Sequence, residues 1–373
     1  NTQIHHLGFG ENMASATSGN GGDPSWAWLG LLKWSLAYTD GTRSSAESMK
    51  PMSAEDKEFL ESVMKDGIIN EGDRMKELLH QLTQTFESIK EKSQGSQEET
   101  KEISEDEMID ALEELRDIVE QIDFARAFAA MNGLPFLLGC ASTTLVPISV
   151  RSMCLGIIST MAQNNPPVQL ILLEKGGIRT LTELYFSENE TSLRTKIVQT
   201  LSSSVRSHAM AEEVFMKNVL GLKMLAEGLS PDGPGITMTI RKRSLFFLRA
   251  LATSDTSSKE RINLLSQAII SLQYLTDQEK EQEAEIREMA LELAIELVRQ
   301  GKGQDIMTHM SDRLTSNGKA RIASIEKLEA EEKSVAMEEL RLWETMLSLL
   351  SSNSDVQAPG HSQNTGQVLQ LTL

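Results

Sequence analysis

One pattern recurs four times along this chain and constrains its fold more than any other feature. Four segments align without gaps, and each begins with arginine: RSMCLGIISTMAQNN from Arg151, RTKIVQTLSSSVRSH from Arg194, RKRSLFFLRALATSD from Arg241 and REMALELAIELVRQG from Arg287. A small or apolar residue follows each arginine after three positions, and apolar residues follow after four, seven and eleven. These offsets lie on one stripe of an α-helix. The sequence therefore predicts four equivalent amphipathic helices.

A second series interleaves with the first. It begins GLPFLLGCA at Gly133, GIRTLTELYF at Gly177, GLKMLAEGL at Gly221 and AIISLQYLT at Ala268, each time after a short apolar helix pattern. We expect the glycines to close the preceding helix in a left-handed conformation. Three helices per unit, with repeat arginines 43, 47 and 46 residues apart, are typical of armadillo/HEAT repeats. The predicted fold is an all-α, right-handed superhelical solenoid of about four three-helix repeats with N- and C-terminal capping helices.

The flanking sequence divides into further segments. We predict a disordered tail over 1–25, a mobile Trp-rich segment over 26–50, N-terminal helices over 51–90, an acidic linker over 91–104, the repeats over 105–317, a capping helix over 318–350 and a disordered tail over 351–373. Ser104 and Glu107 form a capping-box signature. We expect it to open one long helix that runs to about Ala130.

Charge and composition exclude several classes of protein. The net charge is −18, and residues 98–123 hold twelve acids against two bases, whereas nucleic-acid binders need a basic footprint. The acidic stretch is a solvated helix face and linker or a docking surface for a basic partner. No apolar run reaches the length of a membrane span. The two cysteines, Cys140 and Cys154, lie on apolar stripes, and we expect them to be reduced residues of the core. This predicts a cytoplasmic protein, with the nucleus as a further compartment. We expect it to be a monomer.

The sequence also lacks the motifs of an enzyme. The six histidines have no metal-ligand spacing, and there is no phosphate-binding loop or nucleophile elbow. We therefore predict no catalytic residues, no metal and no cofactor. A solenoid offers instead a groove lined by its third helices. Seven polar residues near their ends are candidates for contact with a protein partner, with helix capping or solvent contact as the alternative for each: Gln163, Asn164, Asn165, Arg206, His208, Arg241 and Arg243.

Several stretches resemble a known family. LLKWSLAYTDGT, MSAEDKEFLESVM, DRMKELL, EELRDIVEQIDFARAFAAMNGLPFLL, IISTMAQNNPPVQ and REMALELAIEL are similar in content and order to Fes-type exchange factors, over about residues 29–350. The resemblance implies an armadillo module that embraces the nucleotide-binding domain of a heat-shock protein 70 family (DnaK-type) chaperone and promotes ADP release. The alternative function is an armadillo scaffold or adaptor, which should carry asparagine ladders; here the only doublet is Asn164–Asn165.

The resemblance also assigns residues. It implies chaperone contacts at Ala125, where a small side chain permits close approach, and at Arg243, where a guanidinium can bind a carboxylate. Helix packing and a solvated charge are the alternatives. Three of the four tryptophans, Trp26, Trp28 and Trp34, lie in one N-terminal segment. The family implies that this segment helps to release the client, which we assign to Leu31, Leu32, Trp34 and Leu36; docking on the solenoid is the alternative.

Overall fold

The structure is a computed structural model that describes residues 71–93, 104–230 and 232–356, with side chains to residue 352. The chain divides into two compact units, Asn1–Arg74 and Met75–Leu373, and nearly all described residues belong to the second. Its regular structure is helical throughout the described ranges. The helices are α1 Glu71–Ser93, α2 Glu105–Val119, α3 Ile122–Ala130, α4 Gly133–Ser142, α5 Ile148–Ala162, α6 Pro166–Glu174, α7 Gly177–Ser187, α8 Thr191–Val205, α9 Ala209–Met216, α10 Val219–Gly228, α11 Met238–Thr253, α12 Lys259–Leu264, α13 Ser266–Ile270, α14 Leu272–Leu275, α15 Ala284–Arg299, α16 Gln304–Glu326, α17 Ala330–Val335 and α18 Met337–Val356.

The four predicted amphipathic helices are α5, α8, α11 and α15, the third helices of successive units. They stack in chain order, with α2 packed before α5 and α18 packed after α15. Of the sixteen stripe positions predicted from the repeat, fifteen are at most 1% exposed, and Val298 is half-buried. The apolar stripe of each third helix is buried. The opposite sides of these four helices therefore face solvent and form one continuous surface. An all-α, armadillo-like solenoid is confirmed.

The repeat arginines are structural. Arg151 is buried, donates from Nε to the carbonyl of Ala141 at 3.0 Å, and pairs with Glu188 at 2.5 Å. Arg241 likewise places its Nε 2.8 Å from Oε2 of buried Glu281, as an ion pair whose angle does not make a hydrogen bond. Each carboxylate lies just before the next third helix. These arginines therefore join one unit to the next.

The glycines that open the second helices act differently from our prediction. Gly133, Gly177 and Gly221 do not have positive φ, and the left-handed residue is instead the preceding one in two units, Asn132 at φ 62° and Gly176 at φ 74°. What requires glycine is close packing. A Cβ at Gly133 would lie 2.1 Å from Cε1 of Phe128, and Gly177 and Gly221 would meet their neighbours at 2.6 and 2.8 Å. The left-handed prediction was wrong for these glycines. In each unit, a large side chain near the end of the first helix packs directly against the start of the second helix.

Two predicted long helices are broken. Ser104 and Glu107 form the expected capping box, but the helix ends at Val119, and extended Gln121 starts α3. The segment 318–350 is likewise divided among α16, α17 and α18 rather than forming one helix. The break lets α18 fold back onto α15 and α16.

Buried charge and close packing hold the C-terminal fold-back. Glu339 is fully buried and accepts from Arg287 Nε at 2.7 Å and from Arg321 Nε at 3.0 Å. Trp343 is also fully buried and packs where Gly318 leaves room on α16. The segment thus caps the last repeat as two packed helices rather than as one.

Among the described residues, no single helix is long and apolar enough to cross a membrane, although α3 and α4, which are bent by 79° at their junction, together have the length and composition of a broken span.

Candidate protein-binding face

The solvent side of the stacked third helices carries two rows of residues, which we call the ladder face. The first row lies two positions after each repeat arginine and consists of Met153, Lys196, Arg243 and Met289. The second lies five positions after and consists of Gly156, Gln199, Phe246 and Glu292. All eight are half-buried or exposed, so they are the side chains that the ladder presents to a partner.

The centre of the ladder face is positively charged. Burial is the largest cause that lowers the pKa of Lys196, and the nearby charges of Arg243 and Arg116 lower it further. Burial also lowers the pKa of Arg243, whose Nη1 donates to the carbonyl of Thr195 at 2.7 Å. Lys196 of α8 and Arg243 of α11 are thus half-buried cations beside each other, and Arg116 of α2, which pairs with Asp117 at 3.3 Å, adds to the positive charge. Such a cluster favours an anionic partner group.

Both ends of the face are acidic. On α15, Glu285 pairs with Lys242, and Glu292 and Glu296 each lie 2.9 Å from the guanidinium of Arg249. On α2, the exposed side chains are mainly carboxylates: Glu105, Asp106, Asp110, Glu113 and Asp117. A basic centre between acidic ends constrains the register of a bound protein, because like charges placed opposite one another are unfavourable.

Two of the predicted contact residues lie on this face. Arg243 is in the first row, and Arg206, at the C-cap of α8, stacks its Cζ 4.4 Å from the centroid of the Phe246 ring. Burial lowers the pKa of Arg206 as well. Their role in partner contact remains a prediction.

Four other predicted contact residues make contacts inside the fold. Ala125 is 1% exposed and packs in the core, so a partner cannot approach its side chain. Arg241 pairs with Glu281. Asn165 is 2% exposed and accepts from Arg126 Nε at 3.3 Å. His208 caps α9 by accepting at Nδ1 from the amide of Ala211 at 3.2 Å. For these residues, the packing or capping alternative describes the structure.

The remaining predicted residues fall elsewhere. Gln163 and Asn164 are exposed in the turn after α5, where Asn164 has φ 53°. The client-release residues, Leu31, Leu32, Trp34 and Leu36, lie outside the described residues. The rows of the ladder face contain no asparagine, so the asparagine ladder expected of a peptide-binding adaptor is not found on these described positions.

Sequence reasoning missed Lys196, Gln199 and Phe246. The signal was present in the aligned repeats. The fifth position after the arginine is Gly156, Gln199 and Glu292 in three units, but it is Phe246 in the unit that begins at Arg241. In the structure, Phe246 is 48% exposed, which is unusual for a large aromatic side chain. Comparing the polar positions between repeats, and not only the apolar stripe, would have found it.

The comparisons with known proteins agree with this architecture. Residues 29–128 match the family model described as nucleotide exchange factor Fes1. This part of the chain is therefore similar to the Fes1 nucleotide exchange factors. One member from Gibberella zeae, named Hsp70 nucleotide exchange factor FES1, is 26% identical over 186 residues, covering 50% of this chain and 79% of that protein. Mouse Hsp70-binding protein 1 is 24% identical over 233 residues, covering 62% of this chain and 61% of its own.

A solved structure supports the fold. A designed armadillo repeat protein superposes with a TM-score of 0.50 at 14% identity, covering 74% of this chain and 98% of the designed one. At this identity, the likeness concerns the fold alone.

Proposed function

We propose that the chain is a nucleotide exchange co-chaperone, as its similarity to Fes1 and Hsp70-binding proteins suggests. We propose further that its ladder face binds the nucleotide-binding domain of an Hsp70-type chaperone and thereby promotes release of ADP. The observation that carries the proposed binding face is the half-buried pair of Lys196 and Arg243 at its centre, where the Arg243 guanidinium donates to the carbonyl of Thr195, the residue before Lys196. A carboxylate of the chaperone would relieve their repulsion.

Exchange of this kind needs binding energy and no chemistry of the factor itself. The chaperone alternates between a closed, nucleotide-retaining conformer and an open one. The factor shifts that equilibrium only by binding the open conformer more tightly. We propose that the chain acts in this way as a monomer, without a cofactor, in the cytosol.

The test is stopped-flow release of fluorescent ADP from an Hsp70 chaperone, with the concentration of factor varied. Arg243→Glu replaces an attractive charge with a repulsive one and should weaken binding by about 2 kcal/mol, or roughly thirtyfold. Lys196→Gln should weaken it by about fivefold without lowering the melting temperature, because the ammonium is disfavoured by burial and by its cationic neighbours.

The matched control is Lys217→Gln, since the Lys217 side chain is 72% exposed on another part of the solenoid. It should release ADP as the unchanged chain does. No acceleration by the unchanged chain would reject the proposed exchange function. Acceleration that is unaffected by Lys196→Gln and Arg243→Glu would reject the ladder face as the binding site.

We also propose that the N-terminal segment assists client release. Its residues Leu31, Leu32, Trp34 and Leu36 fall inside the family match, which begins at residue 29. A tethered apolar segment would compete with the client at high effective concentration once the solenoid is bound. Deleting residues 13–42 should leave ADP release intact and slow release of a fluorescent client peptide. Equal loss of both activities would contradict this role.

A further inference from the structure

The two central helices of the ladder face, α8 and α11, meet along a line of polar side chains, which we call the seam. On α8, Thr195, Gln199, Ser202 and Arg206 follow at spacings of four, three and four residues, which places them on one stripe. That stripe faces α11. At one end, Arg243 of α11 donates to the Thr195 carbonyl, and at the other, Arg206 stacks on Phe246 of α11.

The seam also carries charge and apolar surface. Arg243 and Arg206 lie at its two ends, and burial lowers the pKa of both guanidinium groups. Partial burial strengthens the attraction of each for a carboxylate. Between them, Phe246 is 48% exposed. Aromatic and arginine side chains in partly dehydrated surroundings are the residues that most often dominate protein interfaces.

We infer that the seam is the anchor of the interface and that it receives an acidic residue, flanked by an apolar side chain, from a loop or helix end of the chaperone. The carboxylate pairs with the guanidinium of Arg206 or Arg243, and the apolar side chain covers Phe246. This inference rests on the proposed function and deepens it by assigning the anchor and the chemistry it recognises.

The aromatic anchor has its own control. Phe246→Ala should weaken binding roughly thirtyfold, whereas Val219→Ala, at a position 77% exposed on α10, should have no effect. Binding is read as the concentration of factor that gives half-maximal ADP release from an Hsp70 chaperone. The attraction should also weaken with added NaCl, and the Arg206→Gln, Arg243→Gln double variant should flatten that dependence.

The outcomes distinguish the seam from the exchange function. If the unchanged chain accelerates ADP release and the Phe246 and arginine variants behave as it does, the anchor is overturned and the function stands. If the unchanged chain does not accelerate release, both are overturned.

Discussion

Glu212 is the carboxylate on which most of the joint between the third and fourth units depends. It is 2% exposed and accepts hydrogen bonds from neighbouring segments. One comes from the amide of Ser207 at 3.1 Å, and three converge on Oε2 from Ser254 at 3.0 Å, Thr256 at 2.8 Å and Arg261 at 2.6 Å. We predict that Glu212→Gln strongly destabilises the solenoid, although it preserves the size of the side chain.

The magnitude of the loss depends on the bonds that an amide cannot make. An amide oxygen turned towards the three donors leaves its NH₂ facing the Ser207 N–H, and the reverse orientation places NH₂ against three donors. In either case, the Arg261 guanidinium, 9% exposed, loses its counter-charge. Breaking a buried ion pair from one side costs about 3–5 kcal/mol. At about 2 °C per kcal/mol for a chain of this size, the melting temperature should fall by about 6 °C or more.

Thermal unfolding followed by far-UV circular dichroism measures this change. Glu213→Gln is the control, because the neighbouring Glu213 is exposed and pairs only with Lys217; its melting temperature should match the unchanged chain. The double variant Glu212→Gln, Arg261→Met should regain part of the lost stability because it removes the unpaired cation. A fall of less than about 2 °C in Glu212→Gln would refute the reasoning.

Further predictions concern packing and pH. Gly318→Ala should lower the melting temperature: a Cβ there would lie 2.7 Å from Trp343 Cε3, and overpacking costs about 1–3 kcal/mol against a helix-propensity gain of about 1 kcal/mol; an unchanged value would contradict the close packing. Burial raises the pKa of Glu188, Glu212 and Glu339, but hydrogen bonds and their arginine partners outweigh it, so each pKa lies below its usual value. The stability they contribute is present above about pH 4.3 and is lost as pH falls through the lower folded pKa values; a melting temperature constant down to about pH 3 would be inconsistent with this.

The repeats could be predicted from sequence because the apolar stripe is local and recurs. Fifteen of its sixteen positions are almost fully buried, and the four third helices begin and end close to the expected residues. The helix breaks could not be predicted in this way. Apolar residues continue on both sides of Gln121 and of residues 327–329, and the fold-back of α18 depends on Glu339 meeting Arg287 and Arg321, contacts between residues far apart in sequence.

The binding face was only partly predictable for a related reason. Polar residues at the ends of third helices can cap a helix or form an ion pair inside the fold as readily as they can contact a partner. Only the three-dimensional structure distinguishes these roles. Arg241 and Arg243 are two residues apart in sequence, yet the first pairs with Glu281 inside the fold and the second lies on the ladder face. The difference is one of helix face, which the repeat alignment does contain: Arg241 is at the repeat-arginine position of the pattern, and Arg243 shares its phase with Lys196.

Several side chains at the centre of the ladder face are unfavourable for the stability of the free chain, and we expect them to serve binding instead. Lys196 is disfavoured by burial and by two neighbouring cations, and Phe246 exposes almost half of its surface. Each would be improved in the free chain by a simple substitution. Both lie at the centre of the ladder face, on α8 and α11. A partner that supplies a carboxylate and an apolar side chain turns both defects into contacts. The sites that weaken the free solenoid are therefore where we expect its binding energy to lie.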